Sequence, residues 1–462
     1  MKVDPKKLFE IHSSVIEKKI TQRRFHHADI DPLITDLENY PLFEVNPVGK
    51  SFENRTIYSV KSGNGNTSVL LWSQMHGNES TATMALFDIF NFFKENDLLA
   101  DFKKIILDNL TLYFIPMLNP DGAERFQRRN ALGIDLNRDA LKLQSPESQL
   151  LTGFRNNIKA DFGFNLHDQD INHGAGKSGN PATISFLAPP VDYQKSVNDT
   201  REKSIRIIGL LYTILKDFIP GHVGRYSDDF EPRAFGENVQ MAGTSTILME
   251  SGGYRGDPEK QFIRKLNFVT LLSALFCIAN GDYQNVDTAT YFQIPQNKKL
   301  MFDFIIRNAR IQSGQTVDIG INRNEKELPE SRSYYYHSQI DEIGDMSIFH
   351  GYEEFDAEGM NVKPGKIYSQ ILDSVDEIEN LDTLKLLRNG YTSVKMKPSF
   401  HLPKYLSTPL HIITRDSENT IETEKNPNFL LYKNEQLRYV VVNGFMYDVL
   451  SKEMTIPNGI IS

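Results

Sequence analysis

Cysteine is almost missing from this chain. Cys277 stands alone among 462 residues, which excludes an intrachain disulfide framework and fits a reducing compartment. Long apolar runs are missing too: nowhere do 18 apolar residues follow one another, so no membrane span is expected. The first two dozen residues, MKVDPKKLFEIHSSVIEKKITQRR, lack an apolar stretch of signal-peptide length. A cytoplasmic protein is therefore expected, although a chain whose leader had been removed would read the same. Positive charge is in deficit. The formal net charge of -9 would repel a phosphate backbone, so no nucleic-acid partner is expected. No internal repeat or low-complexity tract is present.

What is there is a change of texture. A chain of 462 residues exceeds one ordinary core, and about two or three domains are expected on length. Up to about residue 284, apolar β-branched runs alternate with helical patterns. TSVLLWSQM (67–75), LTLYFIPML (110–118), DFGFNLH (161–167), ATISFLAP (182–189) and TSTILMES (244–251) read as buried strands. Segments 80–99, 201–219 and 258–280 carry apolar residues three and four apart and read as helices. This rhythm predicts an α/β domain with a largely parallel sheet, whose ligands gather at the C-terminal strand ends. Residues 285–462 hold short alternating segments between acidic, Gly- and Asn-containing turns, and read as a smaller, mostly β domain without recognisable chemistry.

Three strand ends carry groups that are costly to bury alone. In HGNE, His76 and Glu79 sit where an apolar run gives way to a helix, so both side chains can face one cleft. The plainer alternative is a helix-start carboxylate beside a partly buried imidazole. The same spacing at His350 and Glu353 has no long strand before it and no helix after it, and reads as a solvated acidic loop. FGFNLHDQD ends a second run at His167, and STILMESGG ends another at Glu250. Two histidines and one carboxylate form the ligand set of a catalytic zinc with an open position. A second carboxylate beside such an ion can serve as general base. Between them, FIPMLNPDGAERFQRRNALGIDLNRDA supplies Arg128, Arg129, Asn137 and Arg138, whose guanidinium forks suit carboxylates and oxyanions, or else form an ordinary basic surface. GAGKSG lacks the upstream glycine of a phosphate loop and is not read as a nucleotide site.

HGNE, NPDG, RRNALGIDLNR, NLH and LMESGG occur in the order and near the spacing of zinc metallocarboxypeptidases of the carboxypeptidase A type, which residues 40 to 282 resemble. The resemblance implies a mixed eight-stranded sheet sandwiched by helices. It implies one zinc ion held by His76, Glu79 and His167, with Glu250 as general base. It places Arg128 (Arg129 being second choice) on the scissile carbonyl, and Asn137 with Arg138 on the substrate's terminal carboxylate. Tyr226, 24 residues before Glu250, matches the family's mobile tyrosine. Arg233 falls near the specificity position, where it would favour an acidic leaving residue or merely pair with Asp229, Glu231 or Glu237. The acidic, glycine-rich stretch after His167 departs from digestive members, so their preference is not carried over.

The expected activity is release of a C-terminal residue from a peptide by metal-assisted hydrolysis. Rival readings are a zinc deacylase of small N-acyl amino acids and a non-catalytic relative that keeps the fold. A peptide substrate is the expected partner, and a homo-oligomer stays compatible with the sequence.

Overall fold

The computed structural model describes residues 4–96, 98–327, 333–397, 408–414, 418–451 and 460–461. The chain divides into two compact units, Met1–Lys299 and Leu300–Ser462. Residues 285–299 stay with the first unit for local reasons. Asn297–Lys299 pairs with His173–Ala175, and the buried Tyr291 hydroxyl receives a hydrogen bond from the Ala188 N–H at 3.2 Å.

The first unit is an eight-stranded mixed sheet flanked by helices. Its strands are β1 (Phe43–Lys50), β2 (Thr56–Ser62), β3 (Thr67–Ser73), β4 (Leu110–Ile115), β5 (Phe162–Asp168), β6 (His173–Ala175, outside the main sheet), β7 (Ile184–Leu187), β8 (Val223–Arg225) and β9 (Ser245–Ser251). The order is β1-β2-β4-β3-β5-β9-β7-β8. The four central strands run parallel, whereas β1, β2 and β7 each make antiparallel pairings, so the sheet is mixed rather than simply parallel. Strands β5 and β9 are buried along almost their whole length, which is why they read as unbroken apolar runs instead of alternating ones. One apolar cluster, including Phe90, Phe114, Phe164 and Phe268, packs against helices Thr81–Lys94 and Gln261–Asn280; a second, around Trp72 and Leu136, holds helix Phe235–Met241. The Gln261–Asn280 helix is long and apolar enough to cross a membrane by composition, yet it lies buried inside this unit.

In the second unit, a nine-stranded sheet is built around Met301–Arg310 and Thr316–Glu327, and a three-stranded parallel sheet joins Lys366–Leu372, Tyr391–Met396 and His411–Ile413. The loop expected at 350–356 is instead a strand, His350–Asp356, paired parallel with Met301–Arg310. Glu353 projects from it to Arg323 at 2.7 Å. Exposed acidic side chains along a strand with one partner gave it the look of a loop.

Candidate metal centre

The HGNE turn lies where β3 ends. Gln74 adopts a positive φ of 51°, and the Glu79 N–H donates to the His76 carbonyl at 3.1 Å, closing a tight corner before the helix. Gly77 is obligatory there. A Cβ on it would sit 2.0 Å from the carbonyl carbon of Gly122, so the HGNE and NPDG backbones touch directly. NPDG is thus more than a turn. Asn119 caps the short helix Pro120–Glu124 through the Gly122 N–H and donates from Nδ2 to the Met75 carbonyl.

Strands β3 and β5 are parallel neighbours, which delivers His167 to the same corner. Glu79 lies between the two imidazoles, with Oε1 2.8 Å from His76 Nδ1 and Oε2 2.7 Å from His167 Nδ1. All three residues are buried, and their candidate ligand atoms lie within 4.8 Å of one another. His76 Nε2 meets Asp135 Oδ1 at 3.1 Å, and Asp135 also takes Arg128 Nε at 2.9 Å. An acceptor-only carboxylate on Nε2 leaves Nδ1 as the ring atom turned to the cluster. Burial opposes charge on Asp135, but His76 and Arg128 outweigh it and hold that carboxyl below its ordinary range. Burial likewise opposes charge on Glu79, and the two histidines overcome it by a wide margin. Two ring nitrogens and a carboxylate aimed at one point, with a carboxylate steadying one ring from behind, suit a zinc ion.

Glu250 sits in register with His167 on the adjacent strand β9. Its Oε2 is buried without a hydrogen-bond partner, as are His167 Nε2 and Asp168 Oδ1. Burial, followed by the charges of Glu79 and Asp168, pushes the Glu250 carboxyl well above its ordinary value. Lys260 Nζ holds Asp168 Oδ2 at 3.0 Å, and Thr81 Oγ1 donates to the same oxygen at 2.6 Å.

The remaining expected residues divide. Arg128 reaches the cluster, its Nη1 lying 3.2 Å from Glu79 Oε1. Arg129 does not: it is exposed and donates to the Gly133 carbonyl. Asn137 Oδ1 accepts the Phe235 N–H at 2.9 Å, which leaves Nδ2 as its donor end. Arg138 donates to the Asn137 carbonyl, and its Nε lies 3.5 Å from Glu231 Oε2. Tyr226 follows β8 and is partly buried; burial and the nearby Glu250 charge raise its phenol. Arg233 is exposed and locked in a two-pronged pair with Glu231, so of its two expected settings the structure displays the loop ion pair.

Residues 33–182 match the zinc carboxypeptidase family. That stretch contains HGNE, NPDG, RRNALGIDLNR and NLH, while LMESGG lies beyond it. Carboxypeptidase SOL1 of Arabidopsis thaliana is 29% identical over 103 residues, 20% of this chain; the match spans about a fifth of that curated relative, 21% of its length. Among solved structures, a metallo-carboxypeptidase from Burkholderia cenocepacia is similar at 16% identity and a TM-score of 0.45, covering 56% of this chain and 70% of that one. Carboxypeptidase A from Helicoverpa armigera is similar at 16% identity and a TM-score of 0.45, covering 60% and 81%.

Asp135, Asp168 and Lys260 were not singled out as functional from sequence. Asp135 alone had a signal, because it lies in GIDLNR two residues before Asn137.

Proposed function

We propose that this protein is a zinc metallocarboxypeptidase that releases one C-terminal amino acid from a peptide. The supporting observation is the convergence of His76, Glu79 and His167 beside the buried, unpartnered Glu250 oxygen. His76, Glu79 and His167 would hold one zinc ion, which when bound would supply a Lewis acid able to lower the pKa of water toward about 7. Glu250 accepts the proton of the attacking water at a carboxylate oxygen and returns it to the leaving amine nitrogen. Arg128 donates to the scissile carbonyl oxygen as negative charge grows there. Asn137 Nδ2 and the Arg138 fork take the terminal carboxylate, which fixes the scissile bond one residue from the end. Tyr226, with its proton held tightly, serves as a neutral donor to the peptide. An acidic leaving side chain would be drawn to Arg233 provided that it displaced Glu231.

The test is the purified protein with its metal content measured, offered short peptides and N-acyl amino acids side by side. Release of single C-terminal residues by mass spectrometry, lost on chelation and restored by zinc, is the expected result. Cleavage confined to N-acyl amino acids would replace this reading with the deacylase, and inert, zinc-loaded protein would replace it with a binding role.

A further inference from the structure

Glu231 bridges two arginines at the place where a substrate's carboxylate is expected. Its Oε1 accepts Arg233 Nε at 2.9 Å, its Oε2 accepts Arg233 Nη2 at 2.7 Å, and the same Oε2 lies 3.5 Å from Arg138 Nε. The other acids of this loop are committed elsewhere. Asp228 is held by Lys195 and Arg201, and Asp229 by Lys195 and Ser227. Two guanidinium groups therefore share one carboxylate, which leaves one net positive charge within this trio; Asp135, already paired with His76 and Arg128, acts on Arg233 only at longer range. A single terminal carboxylate balances it, and a second carboxylate on the leaving side chain would exceed it.

Beside this group, Glu237 is buried on the following helix and accepts the Glu231 N–H at 3.4 Å, and burial lifts its carboxyl to about 7 against the pull of Arg138. An extra anion in the pocket would meet that carboxyl as well. The Arg233–Glu231 pair is half in water, and exposed pairs of this kind are weak enough to be rearranged by a ligand or by one substitution.

We propose that Glu231 is a specificity-determining residue that masks Arg233 and sets the enzyme against acidic leaving residues, favouring neutral ones of the same shape. The inference rests on the carboxypeptidase reading and on Arg138 taking the terminal carboxylate. It assigns Arg233 a latent role: the charge is available to an acidic side chain only when Glu231 is gone.

The test compares two peptides that differ only in a final Gln or Glu, with kcat/KM measured for zinc-loaded wild type, Glu231→Gln, Arg233→Gln and the double variant. Wild type should prefer the Gln peptide. Glu231→Gln should shift the ratio toward the Glu peptide by about five- to tenfold, the size of one charge contact near the surface, and mainly through KM. Arg233→Gln, an exposed position that tolerates change, should move the ratio the opposite way, and the double variant should lose the Glu231→Gln gain. A wild-type preference for Glu, or a ratio that Glu231→Gln leaves within twofold, overturns the inference while the carboxypeptidase reading stands. If neither peptide loses its last residue, both are overturned together.

Discussion

The Asn443 turn of the second unit and the strand ends of the first bury polar groups in opposite ways. In the second unit, the asparagines around one turn are satisfied by each other and by backbone. Asn443 Oδ1 accepts from the Ser338 N–H and Asn426 Nδ2, Asn443 Nδ2 donates to the Tyr336 carbonyl, and the Asn443 N–H donates to Asn428 Oδ1. Asn443 and Gly444, with φ of 48° and 77°, form the two-residue turn of the hairpin that follows Gln436–Val442. In the first unit, the strand ends hold His167 Nε2, Asp168 Oδ1 and Glu250 Oε2 buried and without partners. A closed polar network holds a shape; orphaned buried groups in one hollow cost stability that an architecture alone does not require. Orphans occur elsewhere too, as at Trp72 Nε1, Ser273 Oγ and, in the second unit, Thr420 Oγ1; what marks the candidate site is their gathering on paired strand ends.

Substitutions can break that contrast. Glu250→Gln should cut turnover by about 10²–10⁴-fold while zinc content stays at the wild-type level, since a positioned proton acceptor is lost and no proposed ligand is touched. Its thermal midpoint should be equal or higher because a buried carboxyl becomes a neutral amide. More than a tenth of wild-type turnover would remove Glu250 from the chemistry. Arg128→Gln should lower kcat by about 10²–10³-fold, as loss of one oxyanion donor does, and an effect confined to KM would speak against that role.

Smaller effects sharpen the comparison. Glu237, lifted to about 7 in the folded protein from an ordinary 4.5, binds its proton more tightly folded than unfolded. Its stabilising contribution is complete at low pH and lost as pH rises through about 7. Glu237→Gln should therefore match wild type near pH 4 and exceed it at pH 8 by at most about 3 kcal/mol in chemical denaturation. Asn443→Ala should destabilise the second unit by about 1–2 kcal/mol at every pH, from stranded amide partners and a left-handed backbone position. A stabilising Asn443→Ala would show that the network is not structural.

The central sheet was legible because β5 and β9 are parallel strands covered on both faces, and a doubly covered strand leaves an apolar run ended by the polar residue it carries to the candidate site. The hairpin of β1 and β2 was not, since β1 is mostly open to solvent and the buried positions of β2 are interrupted, so neither carries such a run. The cluster itself could be read from His76, Glu79, His167 and Glu250, each marked by a costly group at a strand end. The support behind it could not. Lys260 lies 92 residues from Asp168, and nothing near either residue announces the pairing. The fate of Arg233 was equally hidden, because an exposed arginine beside three acids has several partners on paper and only side-chain placement selects Glu231.

Glu79 and His167 meet across 88 residues of chain, brought together only when β3 and β5 lie side by side. A nascent or unfolded chain therefore offers a divalent ion no more than the local pair at 76 and 79, and closing so long a loop without the sheet is entropically unfavourable. On the zinc reading, tight metal uptake would be a late event that reports completed strand pairing. By mass action, a zinc ion bound at the proposed site would latch the folded unit, raising its resistance to unfolding in proportion to the logarithm of free zinc.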